Sequence, residues 1–275
     1  MIEFYKYHGA GNDFLLYDAR EDCAVFTPAQ VASLCDRHLG IGSDGLMVLS
    51  KASGYDFRMD FFNPDGSGGM MCGNGGRCIV AFARDLGIAP ADDGAYCFLA
   101  PDGPHTAFLL SDEGPVKTVR LGMKPVTDYH RVRDGWFVDT GTRHFVTFVP
   151  SVADVDVETV GRAIRHLPEF GPVGVNVNFV EIIAPGEIAV RTFEKGVEGE
   201  TLACGTGITA SAIAFWLEKN PAPGARSGQN VSVLIHARRH DLTVTFVASQ
   251  ASFTDVTLTG PAERVAEVLI GSINQ

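Results

Sequence analysis

The 275-residue sequence contains no apolar run approaching the roughly 18 residues of a membrane-spanning helix, so no transmembrane segment is expected. Its first residues, MIEFYKYHGAGNDF, lack a basic stretch followed by an apolar one, which makes a cytoplasmic protein the expectation. Positive charge is scarce: 22 Lys and Arg stand against 33 Asp and Glu, a net charge of −11. A sequence-independent nucleic-acid binder draws its affinity from cations that neutralise phosphates. That class is therefore disfavoured, and small-molecule chemistry fits better. The six cysteines (Cys23, Cys35, Cys72, Cys78, Cys97 and Cys204) are too sparse for a disulfide scaffold and lack the tight CxxC pairs of zinc sites. Most are expected to be reduced, several as small core residues. GxxxxGK[ST] is absent, and neither of the two glycine-rich cysteine segments, MCGNGGRC and ACGTG, supplies a strand-linked GxGxxG with a downstream acidic residue.

What is present is a sheet-rich pattern. Short runs with period-two alternation, such as YDFRMDFF at 55–62 and EIAVRTF at 187–193, are broken by Gly, Pro and Asp turns. Four segments read as helices: PAQVASLCDRH from Pro28, NGGRCIVAFARDLG from Asn74, DVETVGRAIRHL from Asp156 and TGITASAIAFWLEK from Thr206. The class is α/β or α+β, without the regular strand–helix alternation of a doubly wound fold. At this length one large or two medium domains are expected. The Pro- and Gly-containing stretch from Ser111 to Pro115 is the candidate boundary.

Two segments resemble each other. MCGNGGRCIVAFA and ACGTGITASAIAF both read Cys-Gly-(Asn or Thr)-Gly before a small, apolar helical pattern, and their cysteines, Cys72 and Cys204, lie 132 residues apart. Two similar domains, each contributing one turn and one helix, are the simplest reading. The first N–H groups of a helix lack intrahelical partners and, with the helix dipole, form a site for a carboxylate. The same field stabilises a thiolate, bringing a cysteine from its usual value near 8.5 toward neutrality. Facing each other, two such cysteines could remove a proton from one face of a substrate carbon and deliver one to the other, with the amides stabilising the charge that spreads into the carboxylate. A lone cysteine beside a glycine turn is usually a small core residue; the repeat is what favours chemistry. A Cys72–Cys78 disulfide is disfavoured, because five residues that begin a helix separate them awkwardly.

Further motifs accompany this pair: HGAGNDF at 8–14, GIGSDGL at 40–46, FFNPDGSGGMMCGNGGR at 61–77, TGTRHFV at 140–146, GVNVNF at 174–179 and RTFEKGVEGETLACGTG at 191–207. Together they resemble the diaminopimelate epimerase family, cofactor-independent enzymes of lysine and cell-wall precursor biosynthesis. The resemblance implies two pseudo-symmetric domains, each a curved, mainly antiparallel sheet around a central helix, with the active site in the cleft between them. The halves would be 1–114, joined by 261–275, and 115–260. It also implies conversion of LL-2,6-diaminopimelate to the meso form without pyridoxal phosphate or metal. By the same resemblance Cys72 and Cys204 are the acid and base thiols, with His144 and Glu194 as supporting polar groups. Gly73 with Asn74, and Gly205 with Thr206, would hold the reacting end of the substrate. Asn12, Asn63 and Asn176 would be substrate-binding amides, which suit an amino acid because they both donate and accept, and Glu194 would bind the distal ammonium or polarise the site.

The sequence departs from the family where many members have Asn-Pro before the histidine and this chain has Thr142-Arg143, and where they have Glu-Arg and it has Glu194-Lys195. Both changes are expected at the distal end of the substrate, with Lys195 a point charge in place of a planar fork and Arg143 a candidate replacement for that fork. A homodimer is implied less firmly than the chemistry, because Ala266 stands where family members tend to carry an aromatic at the dimer contact. A cofactor-independent racemase for proline or hydroxyproline derivatives, and a non-catalytic or redox protein on the same fold, are the alternative readings.

Overall fold

The computed structural model describes residues 1–21, 25–69, 71–220 and 228–271; Cys23 lies outside the described residues. The first half runs β1 (Ile2–Gly9), β2 (Asn12–Asp18), α1 (Pro28–Cys35), β3 (Leu46–Ser50), β4 (Phe57–Phe62), α2 (Gly73–Asp85), β5 (Ala95–Ala100), β6 (Gly103–Glu113) and β7 (Val116–Gly122). The second runs β8 (Tyr129–Val132), β9 (Gly135–Asp139), β10 (Arg143–Phe148), α3 (Val157–Arg165), β11 (Asn176–Ala184), β12 (Glu187–Glu194), β13 (Gly199–Thr201), α4 (Gly205–Lys219), β14 (Gln229–His236), β15 (Asp241–Ala248) and β16 (Phe253–Ile270). This is a sheet-dominated α+β fold, and all four helices read from the sequence are present.

The chain divides into two compact units, Met1–Leu121 with Gly260–Gln275, and Gly122–Thr259. The stretch Ser111–Pro115 lies within the first, where it forms the end of β6 and the turn into β7. In that unit the strands follow the order β1 to β7, then residues 260–270 of β16, which pair back onto β1 and close the sheet. In the second unit β8, β9, β10, β11, β12, β14, β15 and residues 253–259 of β16 pair in that order. A bridge between Val126 and Phe253 joins its ends.

The units repeat one plan. Most neighbours are antiparallel, but β2 and β3 run parallel across the α1 crossover, and β4 and β5 across α2. In the second unit β10 and β11 do so across α3, and β12 and β14 across α4. α1 is started by a Thr27–Gln30 capping box with Pro28 in its first turn, and α3 by Asp156, whose side chain accepts from the Thr159 N–H. These two cover the outside of their sheets: α1 over Phe4, Leu15, Tyr17 and Leu46, and α3 over Phe145, Val177, Phe179 and Phe193.

α2 and α4 differ from them. Gly73 through Ala83 and Gly207 through Leu217 are buried without interruption, as expected for helices apolar on every side and enclosed by sheet. The hydroxyls of α4 are accommodated because Thr209 and Ser211 donate to the carbonyls of Gly205 and Gly207 at 3.0 and 2.7 Å. Among the described residues no helix is long and apolar enough to cross a membrane.

Candidate active site

Each buried helix begins at one of the repeated cysteines. In the first unit Cys72 is the N-cap of α2 in extended conformation (φ −112°, ψ 149°), and its sulfur accepts the Gly75 N–H at 3.2 Å. The motif HGAGNDF supplies the neighbours. Ala10 and Gly11 have φ of 56° and 91°, giving the two-residue hairpin turn between β1 and β2 that twisted strands favour. That turn presents Asn12, whose Nδ2 donates to Asp44 at 2.7 Å and whose Oδ1 accepts Asn74 Nδ2 at 3.2 Å, with Cys72 Sγ at 4.0 Å. Gly9 permits this approach, since a Cβ there would lie 2.8 Å from the Asn74 carbonyl oxygen.

Beneath Asn74 sits a residue that the sequence reading did not single out. Arg77 is fully buried and donates to the Gly73 carbonyl at 3.0 Å, to Asn74 Oδ1 at 3.0 Å and to the Pro261 carbonyl at 3.3 Å. Burial lowers its pKa to about 10, so it remains a cation at neutral pH. Its three acceptors hold the start of α2 to β16. The signal was an arginine inside an otherwise apolar helical run, GNGGRCIVAFA. Asn63 lies in the loop after β4, where its Nδ2 donates to Ser67 Oγ at 3.0 Å; its hydrogen bonds do not tie it to the Asn12–Cys72 group. Cys72 and Cys78 are not joined in a disulfide, and burial pushes the Cys78 thiol up.

In the second unit Cys204 is the extended N-cap of α4 (φ −101°, ψ 107°), 6% exposed, with Sγ 3.4 Å from Thr206 Oγ1. The first-turn N–H groups at Gly205 and Thr206 have no carbonyl partner within the helix. Strand alternation assembles the surroundings. Phe145, Val177 and Phe193 face α3, so His144, Asn176, Asn178, Thr192 and Glu194 fall on the opposite face, toward α4. His144 is fully buried, its Nε2 2.8 Å from Thr142 Oγ1 and its Nδ1 3.2 Å from Asn178 Nδ2. Burial, with a smaller effect from Lys195, lowers its pKa to about 3; it is a neutral imidazole in the working range.

Asn176, 4% exposed, accepts the Lys195 backbone N–H at 2.8 Å and donates to the Arg143 carbonyl at 3.2 Å and Thr142 Oγ1 at 3.4 Å. It thereby ties β11 to the end of β12 and the start of β10. Thr206 is also fixed through its carbonyl, which accepts Thr140 Oγ1 at 3.2 Å. Thr140, Asn178 and Thr192 were missed in the sequence, although VNVN already alternates polar with apolar.

The two departures next to His144 separate in space. Arg143 belongs to the face opposite His144, with its guanidinium over the Phe137 ring at 5.4 Å from the centroid, and so is not available as a fork beside Asn176. Thr142 lies 3.3 Å from Thr206 Oγ1, at the helix start that carries Cys204. It therefore belongs to the thiol end of the site, where the sequence comparison had put it at the distal end.

The comparisons with known proteins agree with one another. The family model described as diaminopimelate epimerase matches residues 4–122 and 136–265. A diaminopimelate epimerase of Flavobacterium psychrophilum is 39% identical over 273 residues, covering 98% of this chain and 100% of that protein. One of Chlorobaculum tepidum is 41% identical over 265 residues, covering 94% and 96%. Among solved structures, a phenazine biosynthesis protein of the PhzF family from Bacillus anthracis superposes with a TM-score of 0.71 at 14% identity, covering 98% of this chain and 99% of that one. A probable proline racemase from Agrobacterium radiobacter does so at 0.66 and 16%, covering 98% and 93%. At such identities these structures share the fold, whereas the sequence relatives and the family model span nearly the whole chain: it belongs to the diaminopimelate epimerase family.

Proposed function

We propose that this protein is a cofactor-independent epimerase that converts LL-2,6-diaminopimelate to the meso form through Cys72 and Cys204. One observation carries the reading: each cysteine caps the helix of its unit that is buried along most of its length, at equivalent points of a repeated topology. A thiolate takes the Cα proton. The electron pair left behind spreads into the α-carboxylate, and the other thiol returns a proton to the opposite face, inverting the centre. Gly73 with Asn74, and Gly205 with Thr206, supply helix-start donors for the carboxylate and its developing charge. Asn12 serves the reacting end beside Cys72; Asn63, Asn176, Glu194 and Lys195 serve the remainder of a long, doubly zwitterionic substrate. His144 acts as a neutral partner on the Cys204 side. The protein acts in the cytoplasm on a small-molecule amino acid, without nucleic-acid or membrane partners. Neither pyridoxal phosphate nor metal enters the reaction as written, so added pyridoxal phosphate or EDTA should leave the rate unchanged.

The test is proton NMR in D2O, following deuterium incorporation at Cα of diaminopimelate. Wild type is expected to exchange and epimerise, and Cys72→Ala or Cys204→Ala each to abolish inversion. Substantial turnover by either single variant would defeat the two-thiol assignment. Faster turnover of proline or hydroxyproline would overturn the substrate while leaving the chemistry standing.

A further inference from the structure

The polar cluster beside Cys204 has a direction that can be deduced atom by atom. Carbonyl oxygens only accept, so the amide atoms 3.2 Å from the Phe145 and Arg143 carbonyls are the NH2 groups of Asn178 and Asn176. Asn178 Nδ2 directs its second hydrogen to His144 Nδ1 at 3.2 Å, while its Oδ1 accepts Thr192 Oγ1 at 3.0 Å. His144 Nδ1 is therefore the unprotonated nitrogen, and the proton of the neutral ring is on Nε2, which donates to Thr142 Oγ1 at 2.8 Å. Asn176 Nδ2 donates to the same oxygen at 3.4 Å. Having accepted twice, Thr142 directs its own hydrogen to Thr206 Oγ1 at 3.3 Å. Thr206, an acceptor here, keeps its own hydrogen for Cys204 Sγ, 3.4 Å away, where either atom could donate.

We propose that Thr142 is a positioning residue: with Thr206 it forms a one-way hydroxyl relay from His144 that holds the Cys204 sulfur as a hydrogen-bond acceptor, the form that takes a proton from substrate. This rests on Cys204 being a proton-transferring thiol. The relay assigns a role to the threonine that stands where many family members carry asparagine, and to His144 without any change in its charge. No proton needs to travel along it. Its effect is to orient the Thr206 hydroxyl and so favour the ionised sulfur over the thiol.

The experiment measures iodoacetamide alkylation of Cys204 and Cys72 in the full-length protein between pH 5 and 10, each site followed by peptide mass spectrometry. Thr142→Val keeps the shape and removes the hydroxyl. It is expected to raise the Cys204 midpoint by about one pH unit, a roughly tenfold loss of reactive sulfur below the midpoint, and to leave the Cys72 midpoint in place. Thr142→Ser should restore the wild-type value. Thr206→Val should give a similar shift, and the double variant little more than either single one, because the two hydroxyls act in series. In turnover, Thr142→Val should lower kcat with KM nearly unchanged. An unchanged Cys204 midpoint in folded Thr142→Val, or an equal shift at Cys72, would overturn the relay. If wild type fails to epimerise diaminopimelate, the proposed function falls, while the alkylation profiles still decide the relay.

Discussion

A methyl group added at Gly207 probes whether the Asn178–His144 arrangement is rigid. In the interior of a helix Gly→Ala ordinarily stabilises by roughly 0.5–1 kcal/mol. Here the new Cβ would lie 2.3 Å from Asn178 Oδ1 and 3.3 Å from both His144 Cε1 and Cys204 Cβ, so the amide would have to retreat by more than about 1 Å to reach ordinary contact. Asn178 is held by Thr192 Oγ1 at 3.0 Å, His144 Nδ1 at 3.2 Å and the Phe145 carbonyl at 3.2 Å, and it is fully buried. Overpacking costs about 1–3 kcal/mol and a buried donor left unpaired a similar amount. The loss outweighs the helix-propensity gain, leaving a net destabilisation of about 2 kcal/mol.

For a chain of this size such a loss lowers Tm by roughly 4–8 °C. Gly207→Ala should also lower kcat/KM by at least about tenfold, since the displaced groups are those that orient Cys204. Gly161→Ala in α3 is the control. Its Cβ would meet Phe193 Cβ at 2.4 Å on the opposite face of the same sheet, so it should cost similar stability within the same unit with kcat/KM unchanged. Calorimetry and steady-state kinetics on the three proteins decide the matter. A Gly207→Ala protein as stable and active as wild type would refute the rigid arrangement; equal activity losses in both variants would refute its link to Cys204.

The depressed pKa of His144 predicts a pH effect with a definite sign. Folded His144 titrates near 3, below its ordinary 6.5, so between these values the unfolded chain binds a proton that the folded one does not, and this contribution to stability is complete above about pH 6.5 and lost as pH falls. Urea unfolding should show about 2 kcal/mol of such loss by pH 5, absent in His144→Gln; identical pH dependences would refute it. At the distal end, diaminopimelate should turn over at least about a hundredfold better than lysine, a gap of roughly 2.7 kcal/mol. Lys195→Met should shrink that preference and Lys195→Arg preserve or raise it, measured as kcat/KM; an unchanged ratio in Lys195→Met would remove Lys195 from substrate selection.

The sequence was most legible where the signal is local. The starts of α1 and α3 are written in Thr27-Pro28 and Asp156, side chains that cap their own helices. The repeated Cys-Gly-x-Gly located both buried helices, because a run apolar on all sides has few other places to go. Long-range pairing is not written in this way. That residues 260–270 return to β1 and β7 depends on a register set by the closed sheet, and it was expected only through family resemblance. Arg77 shows the same limit: a buried cation is tolerated only when its donors are met, and one of its acceptors, Pro261, lies 184 residues away.

The polar site of the second unit lay between these extremes. Alternation in GVNVNF was enough to put Asn176 and Asn178 on one face, but not to say that this face meets a buried helix rather than water. Once α4 covers it, every donor and acceptor there must be matched, and the matching removes freedom from each group in turn. Two fixed carbonyls orient two amides, one amide selects a histidine tautomer, and the tautomer orients two hydroxyls. The family motif named His144, Asn176, Thr206 and Cys204 as members of a site. Thr142 and Asn178 connect them, and their importance follows from burial, which turns a set of polar residues into a single hydrogen-bond pattern ending at sulfur.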